Sequence, residues 1–188
     1  MKPNQQGNQL RIIAGRWRGR KLPFAPVPGL RPTPDRVRET LFNWLSPLIT
    51  GARCLDLFAG SGALGIEAAS RGAAELVMVD QDPVVVRTLR EQLQQLEFDN
   101  AQVIQQDVIS WLSMATAGSF DVVFLDPPFR ENRLPDCIRL LEAGGWLAAG
   151  ARIYIEAEKA CTPELPDSWE LYRSKHAGQV GYHLAKHS

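Results

Sequence analysis

The chain has 188 residues, 45% hydrophobic and 22% charged, a balance that excludes a disordered or collagen-like protein and suffices for a core without staples. The longest uncharged apolar run, Gly144 to Ala151, falls far short of the roughly 18 residues of a membrane span. Charges cancel overall but not locally: residues 1–53 hold ten Lys and Arg against Asp35 and Glu39, and the rest holds eleven against nineteen acids. A basic arm on an acidic body points either to a polyanion met by one face or to a solvated basic segment. Three scattered cysteines, Cys54, Cys137 and Cys161, lack CxxC spacing, and the first ten residues lack the apolar core of a secretion signal. A cytoplasmic protein without disulfides or a metal site is expected.

In chain order, Leu10–Ala14 and Lys21–Phe24 flank a turn with Gly15 and Gly19 and read as a hairpin. The stretch Pro23 to Pro34 is extended by its prolines. Thr33-Pro34-Asp35 then predicts a helix start, with Thr33 as the capping hydroxyl and Val37, Leu41, Trp44 and Leu45 on the buried face. From Arg53 onward strands and helices alternate: strands at 54–58, 76–79, 103–104, 120–125 and 153–155, and helices after the first glycine loop, from Asp82-Pro83, over 108–114 and over 135–143. Runs at 169–173 and 180–184 read as an antiparallel hairpin. Alternating βα units predict a doubly wound α/β sheet, with a site at the carboxyl ends of its strands.

Asp56-Leu-Phe-Ala-Gly60-Ser-Gly62-Ala-Leu-Gly65 carries GxGxxG between a strand and a helix, where bare backbone at a helix N-terminus can meet a ligand. Asp80 ends the next strand, placed to accept two ribose hydroxyls. Both features suit a nicotinamide dinucleotide and S-adenosylmethionine equally, and no Lys-Ser/Thr follows as a P-loop requires. Asp107 begins the 108–114 helix, where an acid is also an ordinary cap. Asp126-Pro127-Pro128-Phe129 separates the two ligands. Its prolines remove two backbone donors and stiffen the loop, leaving a carboxylate, a carbonyl and an aromatic ring. That set fits a flat heterocycle with an exocyclic amine, and hydride transfer needs none of it. His176, His183 and His187 lack a metal-ligand pattern and read as surface side chains, and no cysteine sits in the Asp126 loop to serve as a nucleophile. Four tryptophans read as structural, whereas Trp17 lies within Arg16-Trp17-Arg18-Gly-Arg20, where it could stack on a base.

These motifs resemble those of class I S-adenosylmethionine methyltransferases that modify exocyclic amines. Arg31-Pro-Thr-Pro-Asp-Arg-Val-Arg-Glu-Thr-Leu-Phe-Asn-Trp44, preceded by Arg11-Ile-Ile-Ala-Gly15 and followed at the end by Ala177-Gly-Gln-Val-Gly-Tyr-His-Leu184, narrows the resemblance to the RsmD family of 16S ribosomal RNA guanine-N2 methyltransferases. The resemblance implies a Rossmann-like domain over 51–188: a mostly parallel seven-stranded sheet with an antiparallel C-terminal hairpin. Residues 1–50 would form a basic hairpin-and-helix extension within the same structural unit. It implies S-adenosylmethionine held by Asp56, Phe58, Gly60, Gly62, Gly65, Asp80, Gln81, Asp107 and Val108, with S-adenosylhomocysteine as product and no metal. Asp56 would lie near the methionine end and Asp107 near the adenine amine. Asp126, Pro127 and Phe129 would hold the target guanine. Arg16, Trp17, Arg18, Arg20, Lys21, Arg31, Thr33, Arg36 and Arg38 would face the RNA, 16S rRNA within a small-subunit particle, with no membrane or obligate protein partner. The rivals are an amino-methyltransferase acting on DNA adenine or protein glutamine, a dinucleotide-dependent oxidoreductase, and a non-catalytic RNA-binding module.

Overall fold

A computed structural model describes residues 8–128 and 131–188. Seven strands form one sheet: β3 (Arg53–Leu57), β4 (Glu75–Asp80), β5 (Ala101–Gln105), β6 (Phe120–Leu125), β7 (Leu147–Glu158), β8 (Trp169–Ala177) and β9 (Val180–His187). Their order is β5-β4-β3-β6-β7-β9-β8, with β3 to β7 parallel and β9 antiparallel to both its neighbours. The helices are α1 (Asp35–Leu45), α2 (Ala63–Ser70), α3 (Pro83–Gln95), α4 (Val108–Met114) and α5 (Leu134–Ala143). The chain winds outward from β3 to β5, then returns to start again at β6 beside β3. That reversal opens a crevice at the carboxyl ends of β3 and β6, where open α/β sheets bind ligands.

The central strands are apolar on both faces and feed two cores. On one face Cys54, Leu76, Met78, Val122, Phe124 and Tyr154 pack against α1, α2 and α3; on the other Leu55, Val79, Val123, Leu125 and Ile153 meet α4 and α5. Trp111 and Trp146 touch at 4.7 Å in the second core. Strand β7 is longer than the apolar triplet Ile153–Ile155 suggests, because its ladder to β6 shifts register after Phe120 and continues. Asp82 caps α3 through the Val84 and Val85 amides, as its Asp-Pro signal predicts.

The N-terminal strands β1 (Gln9–Arg11) and β2 (Lys21–Pro23) form the expected hairpin, shorter than the apolar runs that flank its turn. It is anchored to α2 by a buried carboxylate. Glu67 accepts the Ile13 amide (2.9 Å), the Ala14 amide (3.0 Å) and Arg71 (2.7 Å), and pairs with Arg38 at 3.4 Å. Arg38, expected on the RNA-facing surface, is a correction: it is 1% exposed and also bonds Asp35 (2.6 Å) and the Thr33 and Arg11 carbonyls. A guanidinium surrounded by one buried acid, one exposed acid and two carbonyls serves packing. Trp17 is a second correction. It is buried, meets Phe98 edge-on at 5.8 Å, and is covered by the Arg16 guanidinium. Its large apolar area is worth more in this seam than exposed to solvent. His183, expected at the surface, is also buried and bonds Ser174 at 2.9 Å.

Candidate active site

The crevice is a cleft of about 690 Å³. The β3–α2 loop, the end of β4, the Asp126 loop, residues 29–34 before α1 and Val180 at the tip of the last hairpin line it. Its first wall is the glycine loop. Strand β3 is followed by Phe58, a non-glycine residue at φ +63°, a conformation held only where the surroundings over-determine it and concentrated at functional sites. Gly62 caps α2 at φ +80°, and a Cβ there would come within 2.7 Å of Ile66 Cδ1. Gly65 is required for closeness: its amide donates to Asp56 Oδ2 at 2.9 Å, and an added Cβ would sit equally near that oxygen. Burial pushes the Asp56 carboxyl up to about 8, with the Gly65 amide opposing and the Asp80 charge assisting.

Asp80 spans two loops, accepting the Gly60 amide at Oδ2 and the Asp82 amide at Oδ1, each at 2.9 Å. Burial raises its carboxyl above the usual value, and those amides resist the shift. The second wall continues β6. Asp126 is half-buried, and its carboxyl is held well above the usual range by burial and then by the charges of Glu156 and Asp56. The Pro128 carbonyl accepts the Glu131 amide at 3.1 Å, whereas the Pro127 carbonyl takes no such loop bond among the described residues.

Glu156 is a site residue that motif reading misses. It lies on β7 and lines the cleft beside Asp126. Tyr154 Oη donates to it at 2.7 Å, and the Thr33 hydroxyl on the same cleft wall also favours its charged form. Its carboxyl is raised by burial despite those two donors. Thr33 does not cap α1, whose N-cap is Pro34 with no side-chain bond; it lines the cleft instead. A glutamate inside an apolar strand, Ile153-Tyr-Ile155-Glu-Ala157, was the available signal.

A family model described as Conserved hypothetical protein 95 matches residues 10–186. Ribosomal RNA small subunit methyltransferase D of Escherichia coli strain K12 is 52% identical over 185 residues, 97% of this chain and 93% of that protein. The protein of the same name from Haemophilus influenzae is 48% identical, over 97% of this chain and 95% of that one. The chain belongs to this methyltransferase family. The solved structure of YhhF from Escherichia coli agrees at TM-score 0.87 and 52% identity, covering 96% of this chain and 98% of that one.

Within this family member, the sequence-predicted residues separate into three groups. Asp56, Phe58, Gly60, Asp80, Gln81, Val108, Asp126 and Pro127 line the cleft together, with Arg31 and Thr33 at its edge. Gly62, Gly65 and Asp107 are not among the lining residues. Asp107 caps α4 through the Ser110 amide and pairs with Arg133 at 2.5 Å; burial opposes these contacts, which still hold its carboxyl below the usual value. Arg133, not foreseen, lines the cleft, and its guanidinium lies 5.8 Å from the Phe58 ring centre. Arg16, Arg18, Arg20, Lys21 and Arg36 are exposed and outside the cleft. Phe129 lies outside the described residues. No group of metal-ligating side chains occurs among the described residues, and none of the described helices is long and apolar enough to cross a membrane.

The donor set is chemically distinctive. Asp56, Asp80, Asp126 and Glu156 line one cleft together with Glu131, Arg31 and Arg133, and burial raises all four of the first-named carboxyls. A ligand that carries a cation and several N–H or O–H donors meets this acceptor-rich wall.

Proposed function

We propose that this protein methylates the exocyclic N2 amine of a guanine in 16S rRNA, using S-adenosylmethionine. The observation that carries the reading is the Asp126 carboxylate at the carboxyl end of β6, sharing a cleft with the glycine loop and Asp80. S-Adenosylmethionine fits this acidic cleft because it carries an ammonium and a sulfonium, and when bound it supplies an electrophilic methyl group on sulfur. Gly60 and its neighbours hold the methionine part, Asp56 faces its amine end, and Asp80 accepts from the ribose. Gln81 and Val108 line the adenosine side.

Asp126 and the Pro127 carbonyl accept the two N–H groups of the guanine amine. These bonds aim the nitrogen at the donor side of the cleft, so the protein contributes chiefly position. The methylated amine is acidic and releases its proton to Asp126 or to water. Residues 1–50 serve as the RNA-facing extension of the 51–188 domain, with Arg16, Arg18, Arg20, Lys21, Arg31 and Arg36 toward the substrate. The names of the close relatives support ribosomal RNA of the small subunit as the substrate, and a cytoplasmic location accords with that reading.

The test incubates the purified protein with methyl-labelled donor and unmodified 16S rRNA, naked or in small-subunit particles, beside duplex DNA and protein. Mass analysis of the products should find N2-methylguanine in the rRNA. Methyladenine in DNA or methylglutamine in protein would overturn the assignment.

A further inference from the structure

We propose that Glu156 selects guanine by accepting the base's N1–H while Asp126 and Pro127 hold the adjacent amine. The inference rests on the guanine-N2 reading above and assigns to Glu156 the choice of base at that site.

Parallel pairing of β6 with β7 sets Phe124 beside Tyr154 and Leu125 beside Ile155. Asp126 and Glu156 are the next positions along the two strands, on the same sheet face as the contacting pair Phe124 and Tyr154. Both carboxylates line the cleft. Two side-by-side acceptors need a ligand edge with two side-by-side donors, because an acceptor placed there would leave a buried carboxylate facing a lone pair.

The common bases differ at that edge. Beside its exocyclic amine guanine carries a ring N–H, whereas adenine and cytosine carry a bare ring nitrogen. An acidic pair therefore suits guanine and rejects the other two. Glu156 is also built as an acceptor. It is 6% exposed, and Tyr154 Oη donates to Oε1 at 2.7 Å, which fixes the side chain as an acceptor at the cleft wall. Thr33, from the segment before α1, lines the same cleft, so the N-terminal extension closes this side of the site. Neither the donor's ammonium nor its ribose requires an acceptor here, since Asp56 and Asp80 serve those ends.

The probe is 2-aminopurine, which keeps the 2-amine but has a bare N1. Once the methylated guanine has been mapped with the wild-type protein, two 16S rRNAs are compared, with guanine or 2-aminopurine at that position. Wild type should prefer guanine by about 10- to 100-fold in kcat/KM, the range of one well-formed base contact. In Glu156→Gln that preference should shrink to within a few-fold, mainly through loss on guanine, with donor affinity by calorimetry within a few-fold of wild type. The missing O6 of 2-aminopurine affects both proteins alike, so the change in ratio reports the N1 contact. If wild type methylates the two RNAs equally, the proposal fails without any variant. An unchanged ratio in Glu156→Gln overturns it as well, leaving guanine-N2 methylation standing. If wild type produces no N2-methylguanine, the underlying reading falls and takes this inference with it.

Discussion

The Asp80 carboxylate fastens the end of β4 to the glycine loop, accepting the Gly60 amide across 2.9 Å while its other oxygen takes the Asp82 amide. One side chain thus fixes the distance between the loop proposed to hold methionine and the strand end proposed to hold ribose. Replacing it with asparagine keeps one acceptor and removes the charge. Asp80→Asn should weaken donor binding by ~2–4 kcal/mol, the worth of hydrogen bonds to a charged group plus the loosened loop. Turnover should largely recover at saturating donor. Titration calorimetry with S-adenosylhomocysteine measures this directly, and an unchanged affinity would move the ribose contact elsewhere.

Asp126 should show the opposite signature. Asp126→Asn removes a charge-assisted bond that aligns the reacting nitrogen, and the rate should fall by ~10² or more. Donor affinity should stay within a few-fold, because other strand ends hold the donor. Single-turnover transfer to 16S rRNA, measured beside donor affinity, separates the two effects. Near-wild-type turnover would remove Asp126 from the chemistry.

Donor binding should depend on pH around 8. Asp56 in the donor-free protein is pushed up to about 8 by burial, and a cationic donor binds its ionised form. Below that pH a proton must leave first, so affinity should decline by up to about tenfold per unit as pH falls, and level off above 8. Stability runs the other way. A carboxyl raised in the folded state binds protons more tightly there than when unfolded, so its contribution is full below the unfolded value near 4 and is lost as pH rises through about 8. The donor-free protein should therefore melt lower at pH 9 than at pH 7, with a smaller difference when excess donor is present.

The basic arm divides by burial. Arg16, Arg18 and Arg20 are exposed, and reversing all three should flatten the log–log salt dependence of RNA binding by about two units, at ~0.7 per phosphate contact. Donor affinity should not change. Arg38→Ala should instead remove one of the two cations on the buried Glu67 carboxylate and unpair the Thr33 and Arg11 carbonyls, costing ~3–5 kcal/mol of stability with the salt slope intact. Denaturation and salt titrations on the two variants distinguish these roles. A triple variant that loses stability and keeps its slope would make the arm a packing element.

The parts legible in the sequence are those whose causes are local. The glycine loop, the Asp82-Pro83 start of α3 and the Asp126-Pro-Pro turn are set by residues within a few positions of each other, so they emerge as short patterns. Glu156 did not, because Asp126 and Thr33, which line the same cleft, lie 30 and 123 positions away and reach it only through the β6–β7 pairing and the packing of the segment before α1. Arg38 and Trp17 were misread for the same reason. An arginine in a basic segment looks solvated until Glu67 of α2 is brought against it, and a tryptophan among arginines looks exposed until Phe98, past the end of α3, closes over its edge. Charge counted along the chain cannot distinguish a side chain facing a partner from one folded under its own arm.

On the proposed function, this cleft delivers a methyl group to one guanine amine of the small-subunit RNA. Mass spectrometry of 16S rRNA from cells lacking the protein, resupplied with wild type or Asp126→Asn, tests it most directly. The account predicts one guanine nucleoside lighter by a single methyl in the deleted cells, restored at N2 by wild type and not by the variant. An rRNA methylation pattern identical in all strains, or a restored methyl on a base other than guanine, would contradict it.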